Sequence, residues 1–358
     1  IKLMDKLAKP YPRVLKYLSN VGVFLCFLGM GFIVYFLVKE TWKLIYIAGT
    51  QPALVPVLPG IEIAGAPALS FWHWIIAIFI AAAIHEFSHG LIARLHNIPV
   101  KSSGFAFLGP LLAAFVEPDE KVLEKKKPMQ QLGVFAAGPF SNILLGGFIL
   151  ILLLFVIAPI IGTIYEGDGI IVNQMMDDYP MNSSGVSVPF TILALNGQES
   201  LDTEQFSTLL SIVSPGDTVT LTTDQGDYVV TLANNPTNES APFFGIAGLE
   251  QKVVVKEEYS YLSPFTPIID WFKLLTLWVF LISVGVGLFN LLPLGPVDGG
   301  RMFYTGILAV TKNEKFSKNA LIVTTIFCLS LILINMLPWL NKLFLWLGGI
   351  FSLLIALL

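Results

Sequence analysis

"AAAIHEFSHG", residues 81–90, sets two histidines and a glutamate inside an apolar run that extends from about residue 70 to 93. Such a run is long enough to cross the roughly 30 Å hydrocarbon core of a bilayer as a helix. Titratable side chains are costly at that depth, so their presence points to function. In a helix His85 and His89 lie four residues apart and project from one face, which suits two ligands of a single divalent metal. Glu86 follows His85 directly. This completes the H-E-x-x-H pattern, in which the glutamate acts as general base on water.

Outward from this stretch the chain keeps a membrane character. Only 13% of its 358 residues are charged, against roughly 25% in soluble domains. The predicted fold is a polytopic α-helical membrane protein with about six transmembrane segments, near 18–38, 70–93, 132–164, 268–310, 320–338 and 340–358. The fourth is too long for one crossing and contains "NLLPLGPVDGGR" (290–301). Its prolines and glycines cannot sustain a regular helix, so it reads as a helix that breaks at membrane depth and resumes. Such a break is tolerated where the irregular backbone faces protein or a polar cavity. Residues 101–120, interrupted by Gly104, Gly109 and Pro110, read as an interfacial or re-entrant hairpin. Cys26 and Cys328 both fall in apolar spans, which argues against a disulfide framework. The chain opens on isoleucine, which leaves room for a removed leader.

Basic residues set the expected orientation. Lys2, Lys6, Lys9, Arg13 and Lys16, then Arg94 and Lys101, Lys121 with Lys125 to Lys127, and Lys312, Lys315 and Lys318 fall on one side when the spans are threaded alternately. By the positive-inside rule that side, with the N-terminus, is cytoplasmic, and the membrane is taken as the plasma membrane. Lys39, Lys43 and Lys342 are exceptions at span ends.

Residues 165–267 interrupt the membrane pattern and fall on the opposite, extracytoplasmic side. They carry fourteen acidic residues against Lys252 and Lys256 alone. The strand-like runs "GIIVNQM", "TILALNG", "TVTLTT", "YVVTLA" and "FFGIAGLE" are punctuated by Asn196-Gly197 and Pro215-Gly216. A helix is expected over 202–213, opened by Asp202. The chain thus divides into an N-terminal membrane part (1–164), a small β-rich domain (165–267) and a C-terminal membrane part (268–358). Asn182-Ser183-Ser184 and Asn238-Glu239-Ser240 are glycosylation-type triplets of a kind more often incidental than used.

A catalytic zinc normally takes three protein ligands and keeps one position open. Asp298 is the best third candidate. It lies in the broken segment, fourteen residues before Lys312, at a depth compatible with His85 and His89. An aspartate where a helix restarts also suits an N-cap. His73 and His96, near the two ends of the second span, are weaker candidates. Asn142, in "AAGPFSN" (136–142), either bonds across helices or donates to an oxygen that becomes negative as water attacks a carbonyl.

Together "HEFSHG" (85–90), "SSGFAFLGPLLAAFVEPDE" (102–120), "AAGPFSN" (136–142) and "NLLPLGPVDGGR" (290–301) resemble the site-2 protease family of intramembrane zinc metalloproteases, in its archaeal or bacterial style. The resemblance implies one zinc ion held by His85, His89 and Asp298, with Glu86 as general base. It also implies that Asn142 helps to bind or polarise the substrate backbone. Residues 101–120 would be a membrane-associated β-hairpin able to hold an unwound substrate strand. The 165–267 insert resembles a PDZ-like domain. The implied partners are the lipid bilayer and a transmembrane substrate cut within or near its span. No nucleic acid is expected.

Two other classes compete. A metal transporter would carry several intramembrane acidic or histidine sites along a path. A catalytically idle scaffold would have no need of the complete His-Glu-His-Asp set.

Overall fold

The structure, a computed structural model, describes residues 1–47, 50–61, 63, 65–108, 111–236 and 238–356. Gly109 and Pro110, at the expected hairpin tip, and Leu357 and Leu358, at the end of the expected last span, lie outside the described residues. Contacts within the chain define two units, residues 1–153 with 270–358, and residues 154–269.

The first unit opens with α1 (Lys2–Ala8) and α2 (Pro12–Tyr46). Pro12 stands at the first position of α2, where its missing N–H leaves no bond unmade. The helix outruns the apolar stretch 18–38 because its flanks, rich in lysine, leucine and tyrosine, contain no breaker. Phe24, Leu28, Phe32 and Tyr35 on its outward face are all more than half exposed. A contiguous apolar face of this kind is unsuited to water and suited to lipid.

The central helix α3 (Phe71–Leu95) is capped by Ser70, whose hydroxyl accepts the His73 N–H. At its other end Arg94 Nε donates to Asp5 Oδ1 at 2.6 Å, tying α1 to α3. That bond holds the Asp5 carboxyl below the usual carboxylate range. Next come β1 (Val100–Leu108) and β2 (Leu111–Pro118), paired antiparallel with Ser103 opposite Val116. A short α4 (Glu120–Leu123), capped by Asp119, leads to α5 (Pro128–Leu152). A π-turn over Leu153–Ile157 and then α6 (Ala158–Ile164) prolong α5.

The second unit is built on a sheet of β3 (Tyr165–Met175), β4 (Phe190–Leu195), β5 (Gln198–Glu199), β6 (Thr218–Thr223), β7 (Gly226–Thr231) and β10 (Ile246–Val255). Its order is β10-β3-β4-β6-β7, with β5 paired to β4. A separate pair joins β8 (Ala233–Asn235) to β9 (Asn238–Phe243). The turn from β4 to β5 uses Asn196 and Gly197 at φ 51° and 74°, the left-handed conformation these two residues tolerate best. Between β5 and β6, α7 (Thr203–Ser211) starts at Asp202, whose carboxylate accepts the Gln205 N–H at 2.7 Å. Ile170, Val172, Phe190, Ile192, Leu221 and Phe244 form the core.

The first unit resumes at Asp270, within α8 (Thr266–Asn290). The expected break follows: Leu291–Val297 is non-helical, and α9 (Asp298–Thr311) restarts the helix. A Cβ at Gly300 would run into the Leu294 carbonyl, so this tight return needs glycine.

One expectation fails at the C-terminus. In place of the two separate spans 320–338 and 340–358, one helix, α10 (Glu314–Ala356), runs through. Asn341-Lys342 contains no breaker, and Pro338 is carried inside the helix: it forgoes one backbone bond, a smaller loss than a turn would impose where no water is present. Among the described residues five helical stretches are long and apolar enough to cross a membrane: Pro12–Tyr46, Phe71–Leu95, Pro128–Ile164, Glu257–Asn290 and Glu314–Asn341. The chain is an integral membrane protein.

Within the first unit α3 packs against α5 and β2, α5 also against α2 and α9, and α10 against α9 and α2. Cys26, Met30, Leu132, Ala136, Leu291 and Met302 fill one part of the core; Ala77, Ala81, Trp278 and Ile282 fill another. Asn335 Nδ2 donates across helices to Thr41 Oγ1 at 2.6 Å.

Candidate metal centre

Two helices and one break build the centre. On α3, His85 and His89 present one face, and both are buried. Asp298 occupies the first turn of α9, delivered by the break before it. Its side chain caps nothing, so the N-cap alternative falls away. It turns toward the imidazoles: Oδ2 lies 3.0 Å from His85 Nε2 and 3.3 Å from His89 Nε2. The two Nε2 atoms are 3.1 Å apart.

Three donor atoms so close, on elements more than two hundred residues apart in sequence, match what one metal requires. A tetrahedral zinc with bonds of about 2.0–2.2 Å keeps its ligand atoms about 3.3–3.5 Å apart. Two imidazoles and a carboxylate are a zinc donor set. The residues therefore fit the ion in kind, and at 3.0–3.3 Å apart the donor atoms need to spread by only a few tenths of an ångström to take it.

Helix α5 forms the back wall, antiparallel to α3. The Val134 carbonyl accepts from His89 Nδ1 at 2.7 Å, and the Asn142 amide lies 3.3 Å from His85 Nδ1. Gly138 falls between them, four residues from each and on the same face. A Cβ there would strike Nε2 of both histidines, so only glycine admits this approach.

Glu86 points elsewhere on α3, into a cavity of about 190 Å³ that it shares with His89, Asp298, Val116, Phe135 and Arg301. That space is large enough for several waters. Glu86 Oε2 accepts the Val116 backbone N–H at 3.0 Å, which anchors the carboxylate to β2. Arg301 pairs with Glu120 and lies 5.2 Å over the Phe135 ring at the cavity's wall.

Of the residues singled out in the sequence, His85, His89 and Asp298 meet, Glu86 stands beside them, and Asn142 lies behind His85. His73 is elsewhere, bonded to Ser70 Oγ at 2.5 Å and the Trp271 carbonyl at 3.0 Å. His96 lies by Gln130, with 3.4 Å between Nδ1 and Nε2. Val134, Gly138, Val116 and the Glu120–Arg301 pair escaped notice. The spacing of Val134, Gly138 and Asn142 at intervals of four is the signal that marks the α5 face.

Fold and donor set define a polytopic helical membrane protein with a buried two-histidine, one-aspartate centre. The model of Peptidase family M50 matches residues 73–334, and the chain belongs to that family, the site-2 proteases. Among relatives, an uncharacterised Methanocaldococcus jannaschii protein is 25% identical over 248 residues, 68% of this chain and 60% of its own length. A Fusobacterium nucleatum protein, named as a candidate zinc metalloprotease, is 24% identical over 298 residues, 69% of this chain and 86% of its own. This chain thus spans 60% of the length of the first of these. Among solved structures, a PDZ domain of the SdrC-like protein of Listeria monocytogenes is similar to 24% of the chain, with 90% of that domain covered, 21% identity and a TM-score of 0.21.

Proposed function

We propose that the protein is an intramembrane zinc metalloprotease that hydrolyses a peptide bond within or near a transmembrane segment of a membrane-protein substrate, in regulated intramembrane proteolysis. The observation that carries this reading is the convergence of His85, His89 and Asp298, with Glu86 opening onto the same cavity. Family membership and the match to a named metalloprotease relative support it. A transporter would need a relay of sites, whereas one such group is brought together among the described residues.

His85, His89 and Asp298 would hold one zinc ion, whose Lewis acidity would activate water and polarise the scissile carbonyl. Glu86 takes the proton from the attacking water and returns it to the leaving amine nitrogen. The cavity gives water and an extended substrate backbone access to Glu86. Because helical carbonyls are already bonded, the substrate segment must unwind before attack. The hairpin beside Glu86 offers a strand edge on which the freed backbone groups can pair. In this reading the hairpin is membrane-associated, the lysine-rich side with the N-terminus is cytoplasmic, and the membrane is the plasma membrane. Residues 165–267 then form an extracytoplasmic PDZ-like domain that screens substrates.

Asp298→Ala tests the ligand set. Purified in detergent, wild type should carry about one zinc per chain. The variant should keep its helicity, lose nearly all bound metal and fail to cut a single-span reporter. Unchanged zinc stoichiometry would remove Asp298 from the site.

A further inference from the structure

The two imidazoles of the centre are not equally anchored, and the difference assigns a role to Asn142. A neutral histidine that binds metal through Nε2 carries its proton on Nδ1 and needs an acceptor there, which fixes tautomer and ring orientation. His89 has one, the Val134 carbonyl at 2.7 Å. For His85 the group at that position is the Asn142 amide, with Nδ2 3.3 Å from Nδ1. Asn142 is wholly buried, and its Oδ1 has no hydrogen-bond partner. Half a turn about χ2 exchanges oxygen and nitrogen within the same outline. It brings the unpartnered acceptor to the Nδ1 proton.

We propose that Asn142 is a positioning residue: its amide oxygen accepts the Nδ1 proton of His85 and so holds Nε2 toward the metal. This rests on the metalloprotease reading but departs from the substrate-binding role that the family resemblance implies. A donor to the reacting oxygen must lie about 2.7–3.1 Å from it. Asn142 contributes no wall to the cavity of Glu86, His89 and Asp298, and its amide faces the rear of His85. Asn335, also buried in a span, likewise has an unpartnered Oδ1, but its Nδ2 donates to Thr41 and to the Leu331 carbonyl and meets no histidine. The Asn142 amide instead stands against a ring nitrogen of His85. α5 thus serves both ligands with one face, from Val134 to Asn142, a carbonyl behind His89 and an amide oxygen behind His85.

The test is zinc affinity of the full chain in detergent, measured by competition with a chromophoric chelator, alongside the visible spectrum of the cobalt-substituted protein. Asn142→Leu should weaken binding about 10–100-fold and alter the cobalt bands. Asn142→Asp, which keeps an acceptor and loses the donor, should bind at least as tightly as wild type. Should the leucine variant not fold, Asn142→Ala asks less of the core and is read the same way. Wild-type affinity in the leucine or alanine variant overturns the assignment. So does an aspartate variant as weak as the leucine one. Wild-type protein that binds no zinc overturns the metalloprotease reading, and this assignment with it; zinc-binding wild type beside an equally tight Asn142→Leu overturns this assignment alone.

Discussion

Glu86→Gln keeps its zinc and loses about 10²–10⁴-fold in turnover of a single-span substrate, or about 3–5 kcal/mol of transition-state stabilisation. The substitution preserves the outline of the side chain and the oxygen that accepts the Val116 N–H, so the tie between α3 and β2 survives. Glu86 lies outside the trio of converging donor atoms, so the ligand set is intact. What disappears is the capacity to take a proton from water. Metal analysis and cleavage of a membrane-embedded reporter, run on the same preparations, separate these effects. Residual activity above about a tenth of wild type is too much for a general base and would transfer that role to another group. Loss of zinc in this variant would instead make Glu86 a ligand. Glu86→Ala provides a contrast, since it also frees the Val116 amide, which should then exchange faster with deuterated solvent.

Much of this architecture was legible because its signals are local. The H-E-x-x-H spacing places two imidazoles on one helical face wherever that helix sits. Pro293, Gly295 and Pro296 stop α8, and Asp202 and Asn196-Gly197 announce a helix start and a hairpin turn through side-chain chemistry. Asp298 could be matched to the histidines by depth alone. The rest depends on contacts that leave no letter in the sequence. The acceptor behind His89 is a backbone carbonyl, which every residue possesses; only the fold selects that of Val134. The anchor of Glu86 is likewise a backbone N–H, exposed because β2 presents it. Glu120 and Arg301 are 181 positions apart and read separately as surface charges. The continuity of α10 was missed for a different reason. Pro338 and the polar Asn341-Lys342 pair that follows it read as a turn in water, but where water is absent a helix carrying one proline leaves fewer backbone groups unpaired than a turn would.

Gly138→Ala should weaken zinc binding at least about 100-fold, the upper end of losses caused by disturbing the surroundings of metal ligands, and with it abolish cleavage. The added methyl would sit 2.6 Å from His85 Cε1 and closer still to both Nε2 atoms, where no carbon fits. Neither ring can step aside freely. His89 is held by Val134 on the same helix that carries the intruding methyl, and His85 backs onto Asn142 one turn further along. Relief therefore requires α5 to withdraw from α3, which undoes the packing that brings Asp298 within reach. Local helix stability moves the other way, since alanine is favoured over glycine by about 1 kcal/mol in a helix interior. A loss of metal is then not attributable to a weakened α5. Gly147→Ala supplies the control: it lies on the same helix with nothing within 4 Å of its added Cβ. It should leave zinc binding and cleavage unchanged while raising the unfolding temperature slightly. If Gly138→Ala binds zinc as tightly as Gly147→Ala, the ion does not sit between these histidines and α5.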